Sequence, residues 1–443
     1  MARRQAVLSL IVDSWGGMHP GAWRDPAAPV DPAMDFACVK RLVQTAERGK
    51  LHAFFLADSL GHALEQESGL LSRTASVSRY EPFTLCAALA TVTDRIGLAL
   101  TASTTYAEPF NIARLFASLD HLSGGRAAWN IVTSTAEAGS NFNNFLLERE
   151  ERYARAAEFY DVVSGLWDSL EDDAFLRDKE SGHFFDPGKL HALGHRGDFF
   201  SVEGPLNISR PIQGHPVIAQ AGASPSGLSF AVKTAEVLFT LGAELNAARG
   251  FYADAKAKAA ELGRDPDHML VLPALDLVLG RTQSEADDRM ARYDSLADPS
   301  IGIERIKGLT GFDLSPFELD GPVPDFPTNE HWSQTMQEYY LKLAREQSLS
   351  VRQLAQVAVR FGTVAMTPQG AADYIEEHVM TEAADGFNLV FADHIQSLEL
   401  FVDHVVPELQ RREVFHRDYV GSTLRENLGL PRPQNRYETV LDQ

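Results

Sequence analysis

Several stretches of the sequence put polar side chains where an apolar run ends, and their types suit the holding of a flat, phosphate-bearing ligand. Asp58 follows the run HAFFLA in FFLADSL. A carboxylate so placed needs hydrogen-bond donors, which could be loop amides or the N–H groups of a ligand; capping of the next loop would also satisfy it. Thr104 and Thr105 set hydroxyls at the end of TASTTY. Asn130 lies inside the apolar stretch AAWNIVTS, and its amide must satisfy a carbonyl and an NH2 group at once. A heterocycle with alternating donors and acceptors would do so, as would neighbouring backbone. Ser224 belongs to QAGASPSG, whose small residues let the backbone approach a ligand and whose following helix would offer its first amides to an anion. The same residues also make ordinary strand-to-helix turns. Arg149 and Tyr153 are four apart in REERYARAAEF, with Arg152 and Arg155 beside them. On a helix that spacing shares one face, so guanidinium and phenol could clamp a phosphate; a solvated face of Glu–Arg pairs is the alternative.

Other chemistries find less support. His191 and His195 form HALGH without the carboxylate of a helical zinc motif, no cysteine cluster accompanies them, and no metal is expected. Neither GxGxxG nor a P-loop is present, and GASPS around Ser224 lacks the final glycine of a nucleophile elbow. The formal charge of −21, from 40 Lys and Arg against 61 Asp and Glu, would repel phosphate backbones and anionic lipid, so neither nucleic acid nor a membrane is an expected partner. Cys38 and Cys86 read as small core residues of a protein in a reducing compartment. The N-terminal apolar run stops at Asp13, too short for a membrane span and better suited to a first buried strand, and a cytoplasmic location is expected.

Eight short apolar runs, at 6–12, 52–57, 96–103, 127–133, 216–221, 237–240, 270–279 and 386–391, alternate with stretches of helical spacing. Nearly continuous apolar character is what strands covered on both faces show. The pattern predicts an α/β fold, a (β/α)8 TIM barrel in one domain spanning 1–443, with insertions at about 59–80, 169–215 and 281–350 and a tail over 408–443. Segment 281–350 contains GFDLSPFELDGPVPDFP and reads as irregular chain. The insertions are expected to build a lid or pocket wall. In such barrels the residues that do chemistry sit at the C-terminal strand ends, where Asp58, Thr104, Asn130 and Ser224 fall.

HPGAWRDP (19–26), AERGKLHAFFLADSL (46–60), the stretch 81–134, ERYARAAEF (151–159), QAGASPSG (220–227) and DGFNLVF (385–391) closely resemble the nitrilotriacetate and dibenzothiophene-sulfone monooxygenase family, which includes long-chain alkane monooxygenase, within the bacterial luciferase-like superfamily. The likeness covers nearly the whole chain and is weaker over 281–350. It implies an FMN-dependent monooxygenase, the oxygenase component of a two-component system, fed with reduced FMN by a separate NAD(P)H:flavin reductase. O2 as co-substrate would give a flavin C4a-hydroperoxide that oxygenates a small organic molecule in a covered, apolar pocket. Carried over by position, FMN contacts fall on Asp58, Thr104, Tyr153 and Ser224, with Asn130 near the isoalloxazine edge. Arg149 stands where relatives commonly have histidine in an HDERY pattern, and a guanidinium could serve the phosphate well. His19, in the matching HPGAW segment, is a candidate acid/base or oxygen-orienting group, and bonding of its own loop explains it equally well. A homodimer or homotetramer is also implied. The rival readings are a deazaflavin-dependent hydride-transfer enzyme of the same superfamily and a non-catalytic flavin-binding barrel.

Overall fold

The computed structural model describes all residues except 1–3, 62–69, 135–140, 143–146, 223–224, 243, 327–333, 361 and 439–443. Each of the eight apolar runs contains a strand: β1 (Val7–Val12), β2 (Ala53–Leu56), β3 (Gly97–Ser103), β4 (Ala127–Val132), β5 (Val217–Ala221), β6 (Val237–Thr240), β7 (Leu270–Leu279) and β8 (Gly386–Phe391). All pair in parallel in chain order. Val237↔Leu270 joins β6 to β7, and Val7↔Gly386 joins β8 back to β1, so the sheet closes as a barrel. A short strand, Val364–Met366, adds to the outer edge of β7.

The pleat sorts each strand's side chains between two cores. Leu8, Phe54, Leu98, Trp129 and Leu389 point outward and pack under the crossover helices. Ile11, Phe55, Ala99, Ala128, Val217 and Val390 point inward. Several inward residues are small, and the space they leave at the N-terminal end is filled by the chain's tail. Leu424 and Leu430 are buried in the inner cluster, and a Cβ on Gly97 would lie 2.6 Å from Leu424 Cδ1. Arg425 fixes the plug, its Nη2 donating to Glu236 Oε2 at 2.9 Å. With that end stopped, the opposite mouth is left for a ligand.

One segment read as irregular chain is otherwise in the structure. Segment 281–350 is largely helical, with Gln283–Leu296, Pro299–Thr310 and Gln334–Glu346, followed by Val351–Arg360. Ile306, Leu314, Tyr340, Leu354 and Ala355 give it a small core of its own. The Gly- and Pro-rich stretch read as irregular does lack helix over residues 311–326. Its composition masked the amphipathic stretches before it, whose starts are capped by the Thr282 hydroxyl and the Asp298 carboxylate. Segment 169–215 holds a short hairpin, His195–Arg196 with Ser201–Val202.

Candidate active site

Two cavities open at the C-terminal mouth. One, of about 260 Å³, lies over β2 to β4 and is lined by Asp58, Thr101, Ser103, Tyr106 and Ser134 among others. The other, of about 680 Å³, lies over β1 and β6 to β8, with Asp13, Ala57, Phe239, Glu244, Asp276 and Val390 in its wall. Ala57 and Asp58 are consecutive, so the end of β2 borders both.

Of the residues expected from sequence, Asp58 lines the smaller cavity; Asn130 and Thr104 belong to the adjoining β4 and the end of β3 without entering its wall. Asp58 is half-buried, and burial lifts its carboxyl above the ordinary value against the pull of Arg79. Asn130 is buried and faces inward with Ala128. Its Nδ2 donates to Thr101 Oγ1 at 2.9 Å, and that hydroxyl donates to Leu56 O at 3.0 Å. Because the single hydroxyl hydrogen is committed to Leu56, only the NH2 side of the amide can face Thr101. Asn130 Oδ1 is left buried with no partner. Thr104 is buried, with its amide and hydroxyl both donating to Val132 O, at 3.0 and 3.2 Å, so its oxygen keeps only acceptor capacity.

The helix Arg149–Trp167 closes the far side of this rim. Tyr153 packs against Phe230 of helix Pro225–Thr234, ring centroids 6.1 Å apart, which brings helix Arg149–Trp167 against that helix. Arg149, the first residue of its helix, is exposed. Arg152 reaches inward instead: one guanidinium nitrogen donates to Ser134 O at 2.8 Å, while Nε is buried without a partner. In the sequence Arg152 was only a neighbour of Arg149 and Tyr153; a one-residue count along the helix could have raised it. Ser224 lies outside the described residues. Beside it, a Cβ on Gly222 would sit 2.9 Å from the backbone of Gly227, so the turn into helix Pro225–Thr234 admits no side chain there.

His19 follows β1 and is buried, with both ring nitrogens engaged by protein. Nδ1 accepts the Gly21 amide at 3.1 Å, which makes Nε2 the donor to Asp294 Oδ1 at 3.2 Å. Arg360 holds the other side of Asp294. Burial alone would raise the Asp294 carboxyl, but bonds from His19 and Arg360 prevail and hold it below the usual range. His19 thus fastens the β1 loop to the helical insertion.

Asp276 is the polar residue that sequence reading missed. It sits in LVLPALDLVL, two places after Ala274, and alternation sends both inward. A lone acid in an otherwise apolar run was the available signal. Burial pushes its pKa up to about 7, opposed by a Thr363 hydrogen bond and Arg305.

A closed parallel barrel, plugged at one end and carrying, among the described residues, the unpartnered Asn130 Oδ1 and the partly buried Arg152 guanidinium at the other, places the chain in the (β/α)8 class. The chain belongs to the luciferase-like monooxygenase family, whose description matches residues 16–384. It is 47% identical over 429 residues to N-acetyl-S-(2-succino)cysteine monooxygenase of Bacillus subtilis (strain 168), covering 95% of this chain and 96% of that one. It is 46% identical over 431 residues to nitrilotriacetate monooxygenase component A of Aminobacter aminovorans, covering 95% of both. The solved structure of EDTA monooxygenase from Chelativorans sp. BNC1 superposes with a TM-score of 0.79 at 33% identity, covering 97% of this chain and 99% of that one. The expected fold and activity class are borne out: the chain is a flavin-dependent monooxygenase, the oxygenase component of a two-component system that uses reduced FMN and O2. A component of this kind implies a reductase partner. Among the described residues no helix is long and apolar enough to cross a membrane.

Proposed function

We propose that FMN lies along the rim from Asp58 past Asn130 toward Arg152 and Tyr153, and that a small organic substrate occupies the larger cavity beside it. The observation that carries this reading is Asn130 Oδ1, a buried acceptor with no donor among the described residues and an orientation set by Thr101. An isoalloxazine ring offers N–H groups, and Asp58 adds a second acceptor lifted by burial. At the other end Arg152, Tyr153 and the start of helix Pro225–Thr234, with Ser224 before it, suit a phosphate; Arg149 is placed to add charge from solvent. When bound, reduced FMN supplies the two electrons that split O2 between substrate and water.

The protein's own part is to bind, orient and keep water out. Asn130 and Asp58 fix the ring's polar edge, and Thr104 offers it an acceptor. Apolar wall residues such as Phe239, Val364 and Met366 limit water around the reacting substrate. His19 serves by holding the β1 loop, since an acid/base role would require a ring nitrogen to leave Gly21 or Asp294. Reduced FMN arrives by diffusion from an NAD(P)H:flavin reductase, and two cysteines outside any disulfide suit a reducing cytoplasm.

Fluorescence titration of FMN tests the assignment. Asp58→Ala and Asn130→Ala should each weaken binding by about 1–3 kcal/mol, the range for a buried hydrogen-bond partner. Unchanged affinity in both variants would remove the rim as cofactor site. Oxygen uptake with incorporation of labelled oxygen into product, given reduced FMN, separates this reading from hydride transfer and from a non-catalytic flavin barrel.

A further inference from the structure

The larger cavity is charged in one sense only. Asp13, Glu244 and Asp276 are its charged lining residues, and no Lys, Arg or His lines it among the described residues. Arg79 lies 3.8 Å from Asp13 and offsets part of that charge without entering the wall. Negative potential alone specifies no ligand, but Asp276 adds a direction. Its Oδ1 is shut off from solvent and has no hydrogen-bond partner. Its Oδ2 lies 2.8 Å from Thr363 Oγ1, and the same hydroxyl lies 2.5 Å from Arg360 O. One hydroxyl hydrogen cannot serve two acceptors. Thr363 donates to Oδ2 in competition with the Arg360 carbonyl, so the carboxyl is only partly served and Oδ1 keeps no donor among the described residues. Arg305, the cation acting on Asp276, spends Nη1 on the carbonyls of Ala358 and Val359.

We propose that the substrate is a mainly apolar organic amine whose nitrogen is anchored by Asp276, with Asp13 and Glu244 drawing it in at the rim, and that polycarboxylates are rejected. The inference rests on the reading that this cavity is the substrate site. A polyanion would meet three carboxylates and no wall cation, and each acid would have to be neutralised or repelled. The apolar remainder of the wall suits hydrocarbon. Substrate class therefore separates this chain from the three relatives above, whose names all specify polycarboxylates, although the fold is shared.

Calorimetric titration of the full chain, with and without FMN, decides it, using n-hexylamine, 1-hexanol and nitrilotriacetate as probes. Hexylamine should bind at least tenfold more tightly than hexanol, and nitrilotriacetate should give no signal. Asp276→Asn should weaken hexylamine at least tenfold while leaving hexanol within threefold. If that variant does not fold, the double change Asp13→Asn and Glu244→Gln, at exposed rim positions, should cost hexylamine about fivefold. Nitrilotriacetate binding as tightly as hexylamine, or hexylamine affinity unmoved by the folded variant, overturns the inference. FMN affinity measured in the same samples keeps the two readings apart: intact FMN binding without amine preference defeats only the substrate class, whereas wild-type protein that fails to bind FMN defeats the cofactor assignment.

Discussion

The two sides of the barrel mouth are assembled in opposite ways. Over β2 to β4, the polar atoms come from strand ends and the first turns after them, and their partners are close in the sheet: Asn130 to Thr101, Thr101 to Leu56, Thr104 to Val132. Over β6 to β8, the wall mixes carboxylates with apolar side chains, and its key contact joins β7 to Thr363, 87 residues further on. The proposed cofactor side is a property of the barrel itself; the proposed substrate side depends on how the helical insertion docks. A shared frame can therefore keep one cofactor while the chemistry admitted beside it changes.

The largest effect should come from cutting the tie between insertion and barrel. Asp294 is buried between His19 and Arg360. Asp294→Ala strips both of a partner, and loss of one member of such a pair costs about 3–5 kcal/mol when fully buried. Arg360 keeps contact with water, so the loss should fall near the low end, about 3 kcal/mol by urea unfolding. If the two sides are independent, FMN affinity should change less than threefold while hexylamine binding falls away. A parallel loss of FMN would mean that the insertion also builds the cofactor side.

Asp276 gives a second, pH-dependent contrast. Its native pKa, pushed up to about 7 by burial, exceeds the ordinary 3.8 of an unfolded chain. As pH rises the unfolded state gives up this proton first, so the group costs stability through the window between those values and adds no further cost above it. Asp276→Asn lacks the titration. The stability of that variant relative to wild type should grow by roughly 2–3 kcal/mol between pH 5 and 7.5, read from urea midpoints. A difference constant with pH would show an ionised, solvated carboxylate and remove the contrast between the two sides.

That asymmetry also governs what could be read in advance. All eight strands were visible because a strand covered on both faces must be apolar throughout, whatever the rest of the chain does. Asp58, Thr104 and Asn130 stood out because each interrupts or ends such a run. Asp276 interrupts one too, but its meaning depends on Thr363 and Arg360, and no local pattern announces a contact across an insertion. The helices Gln283–Leu296 and Pro299–Thr310 were hidden by the Gly- and Pro-rich stretch that follows them, and the role of Leu424 and Leu430 as a floor depends on the diameter and inward alanines of a barrel already closed. The family resemblance supplied FMN and O2; residue types alone reached only a flat ligand with a phosphate.

The smallest effect falls at the phosphate end, where two neighbouring arginines can be set against each other. Arg152 is partly buried, holds Ser134 O and leaves Nε unpartnered, whereas Arg149 sits exposed at the helix start. A charge-assisted bond formed away from water is worth more than one screened by it. Arg152→Gln should therefore weaken FMN binding by about 1–1.5 kcal/mol, and Arg149→Gln by less than about 0.5 kcal/mol. Riboflavin, which lacks the phosphate, should bind both variants and wild type alike. Raising the salt concentration should shrink the Arg149 effect before the Arg152 effect. The reverse ranking would place the phosphate in solvent beside the first turn of helix Arg149–Trp167, and the cofactor side would then end at the exposed helix start instead of at Ser134.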